Sequence, residues 1–103
     1  MMSIILILAA AMLQFTEVDK IFRYDCDYAK CRETLLEMES EARPGSEKAE
    51  VLWRLSRISL MQGESESDIE SKRAYFKEGT GYGERGIKED PKNINCHMWH
   101  CAN

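Results

Sequence analysis

The stretch Glu89-Asp90-Pro91-Lys92-Asn93 constrains this chain more than any other. Proline has no N–H to give a helix and biases the residue before it away from helical backbone, so a helix must end here. Asn93 then stands before Ile94-Asn95-Cys96-His97-Met98-Trp99, an apolar, aromatic run that reads as the start of another helix. A join of this kind predicts stacked helical hairpins, with the last run as the first helix of a further repeat, cut off about two turns in. The expectation is a truncated piece of a larger repeat protein. Ile94, Met98 and Trp99 then lack a covering hairpin, and self-association through this C-terminal helix is expected.

Upstream, the apolar spacing is helical throughout. Phe15, Val18 and Phe22 recur at steps of three and four, and Asp27 is placed to cap a second helix with its stripe at Tyr28, Cys31, Leu35, Met38 and Ala42. Arg43-Pro44-Gly45-Ser46 predicts a turn, with Ser46 as the next cap. From Glu47 to Gln62 apolar residues cover much of the circumference, which predicts a helix packed on more than one side. A fourth helix from about Ile69 to Lys88 contains Gly79, Gly81, Gly83 and Gly86. Each glycine costs about 1 kcal/mol relative to alanine, so this helix must be held by packing, with a neighbour approaching closely along the 79, 83, 86 stripe. The predicted fold is all-α: one antiparallel hairpin over 15–42, a second over 47–89 and a helical start after Pro91. Phe22, Leu35, Leu52, Leu55, Ile58 and Phe76 are the expected core.

Composition narrows the function. Fourteen Lys plus Arg against eighteen Asp plus Glu give a net charge of −4 over 103 residues, with no basic cluster, which argues against nucleic acid. The apolar run Ile4–Leu13 is too short for a bilayer span of about 20 residues. Its length suits the core of a secretory signal, but no Lys or Arg precedes it and no small-residue cleavage site comes after it; a buried first helix is the other reading. Residues 1–14 are therefore set apart as an apolar N-terminal segment, with membrane association left open, and 15–103 as the repeat domain.

The four cysteines form two pairs, Cys26 with Cys31 and Cys96 with Cys101, whose spacing places partners on different helix faces and favours free thiols. Cys96, His97, His100 and Cys101 suggest a metal site, yet ligands this close on one helix cannot converge on a tetrahedral ion. The acidic run Glu64, Glu66, Asp68 and Glu70 lacks the glycine-turned spacing of a calcium loop. No nucleophile and base can be paired, and the glycines at 79–86 lie in a helical pattern without the strand that a phosphate loop requires. Neither catalysis, cofactor nor metal is expected.

Ala49, Trp53, Leu55 and Ser56, with Gly79, Gly83 and Gly86 before Pro91, resemble the tetratricopeptide repeat pattern. Gly83 stands where that pattern has an aromatic, and the stretch between the helices is about ten residues longer than a 34-residue repeat. More specifically, Glu50-Val51-Leu52-Trp53-Arg54-Leu55-Ser56-Arg57, the long helix bearing Tyr75, Tyr82 and Ile87, and Asn93 with His97-Met98-Trp99 resemble the regulator of microtubule dynamics family over about residues 17–103. The resemblance implies a tetratricopeptide-like, incomplete solenoid and a non-catalytic interaction scaffold whose partners are proteins, tubulin or microtubules among them. It also implies a cytoplasmic, cytoskeletal or spindle location, or the mitochondrial outer membrane through an N-terminal anchor. In this register Glu50, Trp53 and Arg57 point into a groove, Arg57 toward an acidic group and Trp53 toward an apolar one, with Trp53 as a core residue the competing reading. The Lys and Asn clamp of chaperone-binding repeats is absent, so a C-terminal carboxylate is not the expected ligand. The competing readings are a secreted or membrane-associated helical protein with a cleaved signal, and a truncated product without independent function.

Overall fold

A computed structural model describes residues 14–103. Residues 1–13, and with them the choice between a signal and a buried first helix, lie outside the described residues. The described residues form helix, turn and bend, with no strand among them. Helix α1 covers 14–20 and ends in a π-helical turn, Ile21–Asp25. Helix α2 is Tyr28–Glu41, α3 Ser46–Glu64, α4 Ile69–Glu89 and α5 Ile94–Ala102.

Side chains set most of the starts. Asp27 accepts from the Lys30 amide at 3.1 Å, Asp68 from Ser71 at 2.9 Å and Asn93 from Cys96 at 3.2 Å, each satisfying a donor that the first helical turn leaves free. The third helix departs from expectation. Its cap is Gly45, at φ 95, and Ser46 is already helical. No side chain caps it; Glu47 instead reaches back to the Arg43 amide at 2.6 Å and fixes the turn that precedes α3. The Gly45 amide is taken by Glu89 at 2.7 Å, which ties this turn to the far end of α4.

Contacts between helices define their directions. Gly45 meets Glu89, Leu52 faces Gly86, Ser56 bonds to the Gly79 carbonyl at 2.7 Å and Gly63 lies under Phe76, so α3 and α4 are antiparallel. Arg32 pairs with Glu78 and Glu39 with Arg85, so α2 and α4 run in the same direction. Cys96 reaches the Ala49 carbonyl and Asn103 bonds to Ser56, so α5 runs parallel to α3. At the other end, Phe15 and Asp19 lie against Arg54 and Phe22 against Arg57. Helices α1, α3 and α5 thus lie side by side and point the same way.

Leu35, Leu52, Leu55 and Ile58 are fully buried as expected, joined by Val18, Cys31 and Val51. Burial of aliphatic side chains like these stabilises by about 1.5–3 kcal/mol each. Phe22 and Phe76 are only half-buried. Phe22 sits at the rim, its ring 5.6 Å from that of Tyr28, and Phe76 covers the backbone at Gly63 beside the α3–α4 loop. The glycine stripe of α4 receives α5: Asn103 lies over Gly79, His100 over Gly83 and Cys96 over Gly86.

All four cysteines are free, Cys31 and Cys96 buried, Cys26 and Cys101 exposed. Burial pushes the thiols of Cys31 and Cys96 up to about 11. An aromatic disulfide reagent at pH 8 should therefore label Cys26 and Cys101 at once and reach the other two only on unfolding, since the thiolate is the nucleophile. Four equally fast thiols in the native chain would contradict this packing.

Candidate functional site

The three residues picked out on α3 do come together. Glu50, Trp53 and Arg57 lie three and four apart on one helix, and the Trp53 indole N–H donates to the Glu50 carboxylate while the Arg57 guanidinium lies 4.9 Å from the Trp53 ring centroid. Their exposure differs. Trp53 is 7% exposed, packed with Ala49, Cys96, Ile87 and Trp99; the Arg57 side chain is 12% exposed and that of Glu50 37%.

Their surroundings explain the difference. Asp19 of α1 receives Arg54 through both carboxylate oxygens, at 2.9 and 3.0 Å, and Arg57 at 3.3 Å. Two cations share one carboxylate. The Arg54 guanidinium lies 4.4 Å from the Phe15 centroid and 4.3 Å from that of Trp53, and Arg57 lies 3.7 Å from Phe22. Such cation–π contacts contribute about 0.5–2 kcal/mol each, most when desolvated. On the other side, Asn93 donates to Glu50 at 3.0 Å while capping α5 with its oxygen. Glu50 therefore holds both Trp53 and the start of α5 in place.

Burial disfavours the charged forms here, and pairing opposes it. For Asp19, burial raises the carboxyl, but the hydrogen bond and charge of Arg54, together with those of Arg57, outweigh it and leave the group below its ordinary 3.8. For Arg57, burial wins and lowers the guanidinium from its ordinary value, and its Nε is buried without a hydrogen-bond partner. The arrangement is a largely buried cluster of charges and aromatic rings spanning three parallel helices, suited to holding chain segments in register.

Sequence reasoning missed Asp19, Arg54 and Asn93 as members of this cluster. One signal was available: Arg54 and Arg57 lie on a helix read as apolar around much of its circumference, and cations buried there require a carboxylate. The Cys96–Cys101 segment is structural in its contacts. Cys96 faces Ala49, His97 Nε2 lies 2.7 Å from the Pro91 carbonyl, and His100 lies 3.7 Å from Glu84. Among the described residues no three His, Cys, Asp or Glu side chains are placed to hold a metal, and no helix is long and apolar enough to cross a membrane.

No solved structure matches this chain, so its likeness to known proteins rests on sequence. Regulator of microtubule dynamics protein 2 of Bos taurus is 33% identical over 56 residues, a stretch covering 54% of this chain and 14% of the bovine protein. The family described as Regulator of microtubule dynamics protein 1-3 matches residues 14–102, which is every described helix from α1 to α5. With a match of that extent, this chain belongs to the regulator of microtubule dynamics protein 1-3 family.

Proposed function

We propose that this chain is a non-catalytic helical-repeat scaffold that binds protein at the microtubule cytoskeleton, the spindle included, with residues 15–103 acting as part of a tetratricopeptide-like repeat domain. The observation that carries this reading is the family match over residues 14–102, to proteins named for regulating microtubule dynamics and not for a reaction. The parallel course of α1, α3 and α5, with α2 and α4 parallel to each other, supports it, because stacked hairpins alternate first and second helices in this way. In this proposal Glu50, Trp53 and Arg57 form the binding face. Glu50 is the most open of the three and meets a basic or amide-bearing partner group first, with Trp53 and Arg57 as its rigid support. Ile94 and Met98, 80% and 49% exposed on α5, support self-association of the chain.

Co-sedimentation of the full chain with polymerised tubulin tests the reading. The chain should enter the pellet saturably, and Glu50→Arg should change the affinity by about fivefold or more, the range of a contact worth about 1 kcal/mol. With a net charge of −4 the chain gains no long-range attraction to the acidic tubulin surface, so raising salt should not release it. A chain that stays in the supernatant at every tubulin concentration would overturn the microtubule assignment.

A further inference from the structure

The break between α1 and α2 is a break in backbone but hardly one in pattern. From Phe15 through Val18, Phe22, Tyr28, Cys31 and Leu35 the apolar stripe advances by threes and fours, with only Asp25 interrupting it. Neither glycine nor proline lies between Arg23 and Tyr28, so nothing in the local sequence forbids a continuous helix there. Yet the chain reverses. It does so through the π-helical turn Ile21–Asp25, which buries no residue, and through Cys26 at φ 52 and ψ 27, the one non-glycine residue of positive φ among those described. A side chain with a Cβ is disfavoured in that conformation, and a π turn at a helix end marks a place where the ladder of hydrogen bonds is already displaced. Short connections under strain are the ones that open into exchanged dimers.

The contacts that hold α1 down do not involve Cys26 or Asp27, although Phe22, within the π turn, contributes to them. Val18 is buried with its carbonyl accepting from the Cys31 thiol, Asp19 sits between Arg54 and Arg57, and Phe15 and Phe22 stack on those two arginines. The same contacts are available to α1 of a second copy. We propose that this chain forms a reciprocal dimer by exchanging α1: Cys26 and Asp27 become helical, residues 14–41 straighten into one helix, and α1 of each copy seats on α2 and α3 of the other. The exchange stands on the hinge and the α1 contacts, independently of the microtubule reading and of the α5 surface.

Sedimentation equilibrium of the full chain under reducing conditions, after annealing through its unfolding midpoint, tests it with variants that leave the α1–α3 contacts alone. Cys26→Gly accepts the positive φ and disfavours the straight helix, and should weaken the dimer by at least about tenfold. Asp27→Ala removes a cap that only the closed hairpin uses, and should strengthen the dimer by about tenfold. Met98→Glu charges the exposed face of α5 and should leave the dimer intact. The proposal is overturned if the parent and Asp27→Ala both remain monomeric up to millimolar concentration, if neither hinge substitution moves the dimer, or if Met98→Glu abolishes a dimer that Cys26→Gly leaves untouched.

Discussion

Asp19→Asn should destabilise the fold by about 2–3 kcal/mol, the largest single-residue effect expected outside the aliphatic core. The substitution nearly preserves shape but leaves Arg54 and Arg57, 9% and 12% exposed in their side chains, without the carboxylate they share. Stranding a buried cation costs about 3–5 kcal/mol; Asp19 is itself 32% exposed, so solvent screening reduces the value. Arg57→Met should cost less than Asp19→Asn, and adding it to Asp19→Asn should recover part of the loss, because Arg54 keeps Glu50 at 3.9 Å and Arg57 is the charge left stranded. Stability should also depend on pH through this group. Asp19 titrates below its ordinary 3.8 in the folded chain, so its contribution is fully present above that value and is lost as pH falls through the folded pKa. Thermal unfolding monitored from pH 6 to pH 3 should show a shallower acid loss in Asp19→Asn than in the parent. A variant within about 0.5 kcal/mol of the parent, with the same acid profile, would mean that water and not Asp19 compensates the arginines.

Gly83→Ala should cost about 1–3 kcal/mol through overpacking, while Gly81→Ala, two residues away on the same helix, should stabilise by up to about 1 kcal/mol. A Cβ at Gly83 would lie 2.6 Å from the His100 Cβ and 2.8 Å from its Cα, so α5 itself must move. A Cβ at Gly81 meets nothing within 4 Å, and helix propensity alone decides the sign. Gly86→Ala meets the Cys96 sulfur at 2.7 Å and belongs with Gly83, whereas at Gly79 the obstacle is the side chain of Asn103, which can turn aside. Denaturation midpoints of the four variants report this order directly. Equal stabilisation by Gly81→Ala and Gly83→Ala would place α5 somewhere other than on this stripe.

The helices were legible because their information is local. Pro91 ends α4 whatever lies nearby, Asp27 and Asn93 cap the helices that begin after them, and apolar steps of three and four mark each packed face. Leu35, Leu52, Leu55 and Ile58 could be assigned to the core for the same reason. Ser46 could not be assigned correctly: the turn before α3 is decided by Glu89, far along the chain, which claims the Gly45 amide and leaves glycine as the cap. Phe22 and Phe76 carry a core-like spacing, but whether an aromatic ring is enclosed depends on how many helices reach it, and at the rim too few do.

The candidate face divides along the same line. Glu50, Trp53 and Arg57 share a side of α3 by helical geometry alone, which requires only their positions in the chain. That Trp53 is buried, that Arg54 joins them and that one carboxylate from α1 serves both arginines are properties of three helices meeting, and no local spacing encodes them. From sequence alone came the helices, most of their ends and the need of α4 for a close neighbour. Tertiary structure alone decided that this neighbour is α5, and that Asp19 of α1 and Asn93 at the start of α5 both bind this face of α3, because charge pairing and close packing depend on distances in space that residues far apart in the chain reach only when folded.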